Sequence, residues 1–222
     1  MDGAIGEPGQ ELNIAALPGQ TPGSEQTPAR QAATVILLRD GAEGLEVLLV
    51  KRNEKARFMG GVWVFPGGAL DGADGAEADP GGRAHRAAAA RELAEEASVA
   101  LPDPAELVEF SRWITPAQVT VRFDTRFFLA ALPDGQSPRV DGQECVELGW
   151  FTPQGALDAH ARGEIALVFP TIKHLEQLRA FASVAELLEH ARGLQIRPVQ
   201  PRVTLEGEVA RILLPGEPGY ED

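Results

Sequence analysis

The feature that most constrains the fold is a run of helix-forming residues at positions 84–97. Alanine, leucine, glutamate and arginine fill most of these positions, and all four favour helices. Apolar residues recur in the run at the spacing of one helical face. They are Ala90, Leu93, Ala94 and Ala97. We therefore predict an amphipathic helix that packs this face on a core.

The segments on either side of this run have the composition of strands and further helices. Aromatic, β-branched and aliphatic residues between turns predict strands at 34–38, 45–50, 107–113, 122–132 and 145–151. Helical patterns predict helices at 153–163, 171–182 and 184–192, the last opened by the capping pair Ser183 and Glu186. Glycine-rich stretches at 60–68 and 71–82 predict loops. We expect an α/β fold, with a mixed β-sheet between α-helices and extra helices near the C-terminus.

The composition divides the chain into two segments, with a boundary after residue 30. Residues 1–30 contain scattered Gly, Pro, Gln, Ser and Glu without a helical or strand period. This composition indicates a flexible N-terminal tail. Residues 31–222 then form one domain with a helical C-terminal extension, a size that suits a single core.

Charge and composition exclude several functional classes. The formal net charge is −13 at pH 7, which disfavours nucleic acid as a partner because that binding requires clustered Lys and Arg. The apolar runs are shorter than the roughly 20 residues needed to cross a bilayer, so we expect no membrane span. A single cysteine, Cys145, and the absence of a secretory leader favour the cytoplasm.

Three glutamates of the predicted helix lie within a sector of roughly 100° around its axis. They are Glu92, Glu95 and Glu96. Carboxylates at this spacing repel one another unless a cation lies among them. The alternative is an ordinary solvated helix face. The upstream turn at residues 65–68, Phe-Pro-Gly-Gly, lets the backbone approach a ligand closely and favours a divalent cation over that alternative.

These residues resemble the Nudix hydrolase family, whose box runs Gly, five residues, Glu, seven residues, then Arg-Glu-apolar-any-Glu-Glu-any-Gly-apolar. Residues 91–99 match its second half, with Ser98 in place of the glycine. Gly68 matches the opening glycine, and Asp74 stands where the first glutamate belongs. Between Asp74 and Arg91 lie 16 residues, so residues 75–83 are interpreted as an insertion.

The resemblance implies a divalent-metal site on the helix. It implies that Mg²⁺ is bound by Glu92, Glu95 and Glu96 together with a backbone carbonyl near Gly67, and that Mn²⁺ can substitute for Mg²⁺. Arg91 would orient the glutamates, and Glu92 is one candidate for the general base, although the sequence leaves open which acid has that role.

A later strand supplies a further acid in related enzymes. Glu144 is the favoured candidate for this position and Glu147 the alternative, since both flank Cys145. The competing interpretation is that both are exposed strand residues. The histidines have no zinc or triad spacing and are interpreted as structural or surface residues; they are His85, His160, His174 and His190.

A second resemblance concerns the substrate. Leu48-Leu49, Arg57, Gly61 and the turn at 65–68 are similar to the signature of coenzyme A diphosphatases in this family, with Val50 and Asn53 as departures. Residues 113–116 and 122–128 are similar to the branch of peroxisomal acyl-CoA diphosphatases of animals and their bacterial relatives. The predicted substrate-binding residues are Arg52, Arg57, Phe65, Gly67 and Gly68.

The predicted reaction is hydrolysis of CoA or acyl-CoA to adenosine 3',5'-bisphosphate and (acyl-)phosphopantetheine, with Glu92, Arg91 and Glu96 as catalytic residues. One alternative is an ADP-ribose or nucleotide-sugar diphosphatase. Another, of a different class, is a catalytically silent domain that senses a nucleotide, which the intact acids disfavour. A homodimer is expected by analogy alone.

Overall fold

A computed structural model describes residues 11–12, 28–56, 59–75, 82–117, 119, 121–206 and 209–220. The strands are β1 Glu11–Leu12, β2 Arg30–Gly41, β3 Gly44–Arg52, β4 Trp63–Val64, β5 Gly67–Ala69, β6 Val108–Ile114, β7 Phe123–Ala131, β8 Cys145–Phe151, β9 Pro198–Val199, β10 Arg202–Glu206 and β11 Val209–Leu213. The helices are α1 Arg83–Ala97, α2 Pro153–Ala161, α3 Phe169–Leu178 and α4 Val184–Arg192. The predicted tail, residues 1–30, lies almost wholly outside the described residues.

The central sheet is mixed, as predicted. Its strands follow the order β4-β3-β2-β7-β6-β9, with β5 added to β2 and β8 added to β3. The β2–β3 hairpin closes at Gly41 and Gly44, and β6 also runs antiparallel to β7. By contrast, β2 and β7 are parallel over nine residue pairs. This arrangement brings β5 and its glycines beside the middle of the domain.

Helices cover both faces of the sheet, because the side chains of β2 and β3 alternate between two apolar clusters. Ile36 and Leu38 point into the cluster formed with α2, α3 and α4, whereas Val35 and Leu37 point into the cluster formed with α1. The expected α/β/α layering is therefore confirmed. Among the described residues, no helix combines the length and the apolarity that a membrane span needs.

The buried stripe of α1 differs from the predicted one. Ala94 is exposed and Ala90 only half-buried. The buried residues are Ala84, His85, Ala88, Ala89, Leu93, Glu96 and Ala97. The helix is thus rotated about its axis relative to the expectation, and its small alanines allow it to lie close to β2. This rotation turns Glu96 towards the sheet, where it is buried.

Several strands were not predicted from the sequence. The glycine-rich stretch at 60–68 contributes to the short strands β4 and β5, where a loop was expected. After α4 the chain forms the antiparallel hairpin β10–β11, which joins β1 in a separate three-stranded sheet. The C-terminal extension is therefore helical and then β-stranded. That residues 31–222 form one domain stays a prediction.

Candidate active site

The candidate site forms where β5 passes the middle of α1. The N–H of Gly67 donates a hydrogen bond to Glu96 Oε2 over 2.9 Å. At position 68 a Cβ atom would lie 2.4 Å from Glu92 Oε1, so only glycine permits this approach. The predicted proximity of the glycine turn and the helix acids is therefore present.

The backbone of Gly67 faces this helix. Thr34 of β2 lies opposite Gly67, whereas the neighbouring hydrogen bonds run from Val35 N–H to the Pro66 carbonyl and from Leu70 N–H to the Gln31 carbonyl. In an antiparallel pair, hydrogen-bonded and non-bonded positions alternate. Gly67 therefore occupies a non-bonded position, and its amide and carbonyl both point away from β2.

Glu96 is the most buried of the three helix acids, with 2% of its surface exposed. Arg52 Nη1 lies 3.6 Å from its Oε1 atom. Burial raises the pKa of Glu96 to about 7, although the Gly67 N–H and the Arg52 guanidinium oppose this rise. Within the described part of the chain, Glu96 Oε1 and Arg52 Nε are buried atoms without a hydrogen-bond partner. A buried carboxylate oxygen without a donor is suited to a cation.

Arg91 organises the acids around it. Its Nε and Nη2 atoms donate to both carboxylate oxygens of Asp74 over 3.1 and 3.0 Å, and Nη2 also donates to the Ala69 carbonyl. Its Nη1 atom donates to Glu92 over 2.8 Å and to Glu95 over 3.0 Å. These hydrogen bonds join Arg91 to two of the three helix glutamates, and its role in orienting them around a metal ion stays a prediction.

Asp74 is the residue that holds Arg91 in place. Its side chain is only 3% exposed. Burial raises the pKa of Asp74, but hydrogen bonds from Arg91 and from the Asp71 backbone outweigh it and hold this pKa below its ordinary value. Asp74 matches an acidic position of the box, but no partner for it was predicted from the sequence. The ion pair shows that the inserted residues follow Asp74 without separating it from α1.

Glu92 and Glu95 differ in their environments. The Glu92 side chain is 12% exposed and that of Glu95 is 58% exposed. Burial raises the pKa of Glu92 above its ordinary value, Arg91 opposes this rise, and the carboxylates of Glu95 and Glu144 add to it. Glu92 therefore lies inside the site and Glu95 at its rim.

The donor set fits a hard divalent ion, but the acids are not gathered around one point. Among the described residues, no three acidic, histidine or cysteine side chains lie close enough together to hold a metal ion. Arg91 accounts for this, since it binds both Glu92 and Glu95. Binding would require these side chains to turn from Arg91 towards Glu96, whose Oε1 atom has no donor. Carboxylate and carbonyl oxygens are the ligands that Mg²⁺ prefers.

The two later acids are both exposed but have different neighbours. Glu147 lies on β8 and pairs with Lys51 over 3.7 Å. Glu144 immediately precedes β8, and its negative charge acts on Glu92. Of the two acids, Glu144 is the one whose charge contributes to the raised pKa of Glu92, and its role as a metal ligand stays a prediction.

The predicted substrate-binding residues do not all line this site. Arg57 lies outside the described residues. Phe65 is 3% exposed and belongs to the core on the opposite face, where its ring centroid lies 6.2 Å from that of His174. Its ring is therefore a packing element and is unavailable to a substrate in this conformation. Arg52 reaches the site, but it lies against Glu96.

Two contacts of the site, that of Arg52 with Glu96 and that of Cys145 with Glu96, have no signal in the local sequence. Arg52 and Glu96 meet across 44 positions of the chain. Burial raises the pKa of the Cys145 thiol, and Glu96 beside it adds to the rise. The sequence feature that associated Cys145 with the site was its position directly after Glu144, a predicted metal ligand. His174 is fully buried among aromatic rings, where burial lowers its pKa to about 4, in keeping with its structural interpretation.

Known proteins resemble this chain in sequence and in fold. The NUDIX domain family matches residues 28–170. Nudix hydrolase 7 of Caenorhabditis elegans is 30% identical over 183 residues, which are 67% of this chain and 60% of that protein. Acyl-coenzyme A diphosphatase NUDT19 of Homo sapiens is 32% identical over 124 residues, which are 54% of this chain and 33% of that protein. The chain thus spans less than two thirds of either relative.

Among solved structures, the NUDIX hydrolase of Alicyclobacillus acidocaldarius superimposes with a TM-score of 0.67 at 29% identity. The superposition covers 74% of this chain and 97% of that one. A MutT NUDIX hydrolase of Burkholderia pseudomallei superimposes with a TM-score of 0.51 at 25% identity, over 68% of this chain and 99% of that one.

Proposed function

This chain belongs to the Nudix hydrolase family, and from that premise we propose that it hydrolyses the diphosphate linkage of CoA or acyl-CoA. The products would be adenosine 3',5'-bisphosphate and phosphopantetheine or its acylated form. Members of the family generally use divalent metal ions, and Mg²⁺ is the ion proposed here, with Mn²⁺ as a substitute.

One observation carries the catalytic part: Glu96 is buried against the Gly67 amide and keeps one carboxylate oxygen without a hydrogen-bond donor. Glu92 lies one helical turn away, close to Gly68. The cationic neighbour of Glu96 Oε1 is the Arg52 guanidinium, 3.6 Å away and outside hydrogen-bond distance, so a divalent ion would supply the close contact that this oxygen lacks. We assign Glu92, Glu95, Glu96 and the Gly67 carbonyl as the groups that would hold the ion, with Glu144 as an additional ligand.

The metal, when bound, would polarise a phosphoryl oxygen and lower the pKa of water, so that water can attack phosphorus. The side chains of the chain have other tasks. Arg91 and Asp74 set the positions of the acids through their hydrogen bonds. Glu92, whose pKa is raised by burial, is the candidate that would take the proton from the attacking water.

The choice of CoA as substrate is supported by the relatives and by charge. Acyl-coenzyme A diphosphatases of Homo sapiens and Xenopus laevis are both 32% identical to the stretches they match. In a protein with a net charge of −13, a substrate with several phosphates requires placed guanidinium groups. Arg52, at the end of β3, retains a buried Nε atom that has no partner among the described residues. It and Arg57 are the candidates for the substrate phosphates.

The test is a mass-resolved product assay on the purified chain with Mg²⁺, run in parallel on CoA, an acyl-CoA, ADP-ribose and a nucleotide sugar. We expect rapid formation of adenosine 3',5'-bisphosphate from the CoA substrates. Glu96→Gln should reduce kcat by at least about a hundredfold. Glu147→Gln is the matched control, since Glu147 is an exposed carboxylate paired with Lys51.

Three results would contradict different parts of this assignment. Intact CoA beside rapid cleavage of ADP-ribose or a nucleotide sugar would reject the substrate and leave the chemistry standing. Binding of these compounds without cleavage of any of them would identify a silent nucleotide-sensing domain. Unchanged turnover in the Glu96→Gln variant would reject metal binding by that side chain.

A further inference from the structure

The turn before β8 is fastened by one carboxylate. Asp141 accepts hydrogen bonds from three successive backbone N–H groups, those of Gln143 over 3.1 Å, Glu144 over 2.8 Å and Cys145 over 2.9 Å. A side chain that accepts several local N–H groups fixes the conformation of a turn. The backbone at Glu144 is therefore held, although its side chain is exposed.

Asn53 fastens the same turn from the other side. Its backbone N–H donates to the Glu144 carbonyl over 2.8 Å, and its side-chain Nδ2 donates to the Gln143 carbonyl over 2.9 Å. Its Oδ1 atom accepts the Lys55 N–H over 3.0 Å and closes its own turn. The side-chain Nδ2 of Asn53 thus joins the end of β3 to the turn around Glu144, while Oδ1 holds the local conformation of Asn53 itself.

An irregularity in strand pairing accompanies this connection. Lys51 pairs with Glu147, but Arg52 pairs with Cys145, so Val146 is an extra residue in β8. Val146 is 42% exposed, whereas Cys145 is fully buried. A bulge of this kind changes which side chains point inwards and is often found next to active sites. Here it directs Cys145 towards Glu96.

The neighbouring residues Arg52 and Asn53 contact, respectively, the Glu96 carboxylate and the backbone of Glu144. Arg52 Nη1 lies 3.6 Å from Glu96 Oε1, and Asn53 is bonded to the backbone on both sides of the Gln143–Glu144 peptide link. The Glu144 charge in turn acts on Glu92. The end of β3 is therefore a link between the acids of α1 and the acid that precedes β8.

We propose that Asn53 is a positioning residue that holds Glu144 at the mouth of the site as an additional ligand of the divalent ion. This inference rests on the proposed function for the identity of the ion. An exposed glutamate loses side-chain entropy when it binds a metal, and a fixed backbone limits how much freedom must be lost. Residues that orient a metal ligand change metal affinity by roughly 10- to 100-fold.

The experiment measures Mn²⁺ binding to the full chain by electron paramagnetic resonance, without substrate. Asn53→Ala and Glu144→Gln should each weaken Mn²⁺ binding about tenfold. The double variant should bind no more weakly than Glu144→Gln alone, because Asn53 acts through Glu144. Gln136→Ala is the matched control. It removes the two hydrogen bonds by which the Gln136 side chain joins its own segment to the backbone of Ala100. It should bind Mn²⁺ as the wild type does.

Asn53→Ser provides a second variant in case Asn53→Ala folds poorly. Serine keeps a side-chain oxygen for the Lys55 N–H but is too short to reach the Gln143 carbonyl, so it should show the same weakening at an unchanged melting temperature. Wild-type affinity in Asn53→Ser or in Glu144→Gln would overturn the inference. A full additional loss in the double variant would overturn it too. Because no substrate is present, failure to hydrolyse CoA would reject the proposed function without altering this result.

Discussion

Among single residues, Arg91 has the largest influence on the state of the site. A guanidinium group carries five donors in a rigid plane, and those of Arg91 serve Asp74, Glu92, Glu95 and the Ala69 carbonyl. The Asp74 carboxylate receives two parallel bonds, which is the strongest arrangement for such a pair. Arg91 therefore partly neutralises acids that would otherwise repel one another.

The protonation of Glu96 should affect how the stability of the metal-free protein, kept in a chelator, varies with pH. Burial raises the pKa of Glu96 from 4.5 to about 7, with Arg52, Glu92 and Cys145 as the neighbouring charged or titratable groups. Between these values the folded protein binds a proton that the unfolded chain does not. This contribution to stability is fully present below pH 4.5 and is lost as the pH rises through about 7, at a cost of at most about 3 kcal/mol.

We therefore expect the melting temperature of metal-free Glu96→Gln to fall less than that of the wild type between pH 5 and pH 8. Glutamine cannot ionise, so this variant does not lose the stability that protonated Glu96 contributes at low pH. Glu95→Gln is the control, because the Glu95 side chain is 58% exposed. Parallel profiles for the wild type and Glu96→Gln would contradict the buried, proton-binding state of Glu96.

Between elements, the decisive contact is that of β5 with α1. The helix ends at Ser98, which adopts a left-handed φ of 54° while its N–H bonds to the Ala94 carbonyl. This is the position where the Nudix box has glycine, and a residue with a Cβ adopts it at some cost. The two glycines of β5 face different neighbours, so a Cβ atom should have a different effect at each position.

Gly67→Ala and Gly68→Ala should differ in their effects on fold stability and on turnover. A Cβ at 67 would lie 2.6 Å from the Ala33 carbonyl oxygen and 2.7 Å from Thr34 Cα, which are backbone atoms that cannot move aside. Gly67→Ala should therefore destabilise the fold by about 1–3 kcal/mol. A Cβ at 68 would meet only the end of the Glu92 side chain. Gly68→Ala should therefore melt near the wild-type temperature while losing most of its turnover.

Thermal melts and kcat at saturating Mg²⁺ distinguish the two variants. A Gly68→Ala enzyme with wild-type kcat would show that the position of Glu92 is unimportant for the reaction. A Gly67→Ala protein that melts at the wild-type temperature would contradict the close contact between β5 and β2.

For the whole molecule, stability and chemistry rest on different groups. Two apolar clusters lie on opposite faces of the sheet and are closed by Leu93 on one side and by Leu175 and Leu187 on the other. Burial of these side chains is the main source of stability. Glu92, Glu95 and Glu144 lie outside both clusters, so we expect the fold not to depend on a cation bound at these acids.

We predict that chelation of divalent ions abolishes hydrolysis but leaves the far-ultraviolet circular dichroism spectrum unchanged. The melting temperature should move by no more than a few degrees, because the ion stabilises the folded state only through its binding affinity. Added Mg²⁺ should restore the rate. Loss of secondary structure on chelation would instead indicate a structural metal of the kind on which folding depends.

Local sequence patterns were enough to predict the larger helices and strands and the grouping of three glutamates on one helix. Both depend on contacts between near neighbours in the chain: the β2–β3 turn, the 3.6-residue period of α1, and Ser183, which accepts the Glu186 N–H at the start of α4. The spacing of Glu92, Glu95 and Glu96 on one helix was visible for the same reason. The β10–β11 hairpin went unpredicted, although its two strands are rich in β-branched residues.

The differences among these acids depend instead on tertiary packing. The rotation of α1 against the sheet buries Glu96 and leaves Glu95 exposed, and each residue along a helix changes direction by about 100°. The pairing of Arg52 with Glu96 and the burial of Phe65 against His174 join residues that are far apart in the chain. Such contacts depend on how whole elements pack, which no local pattern encodes.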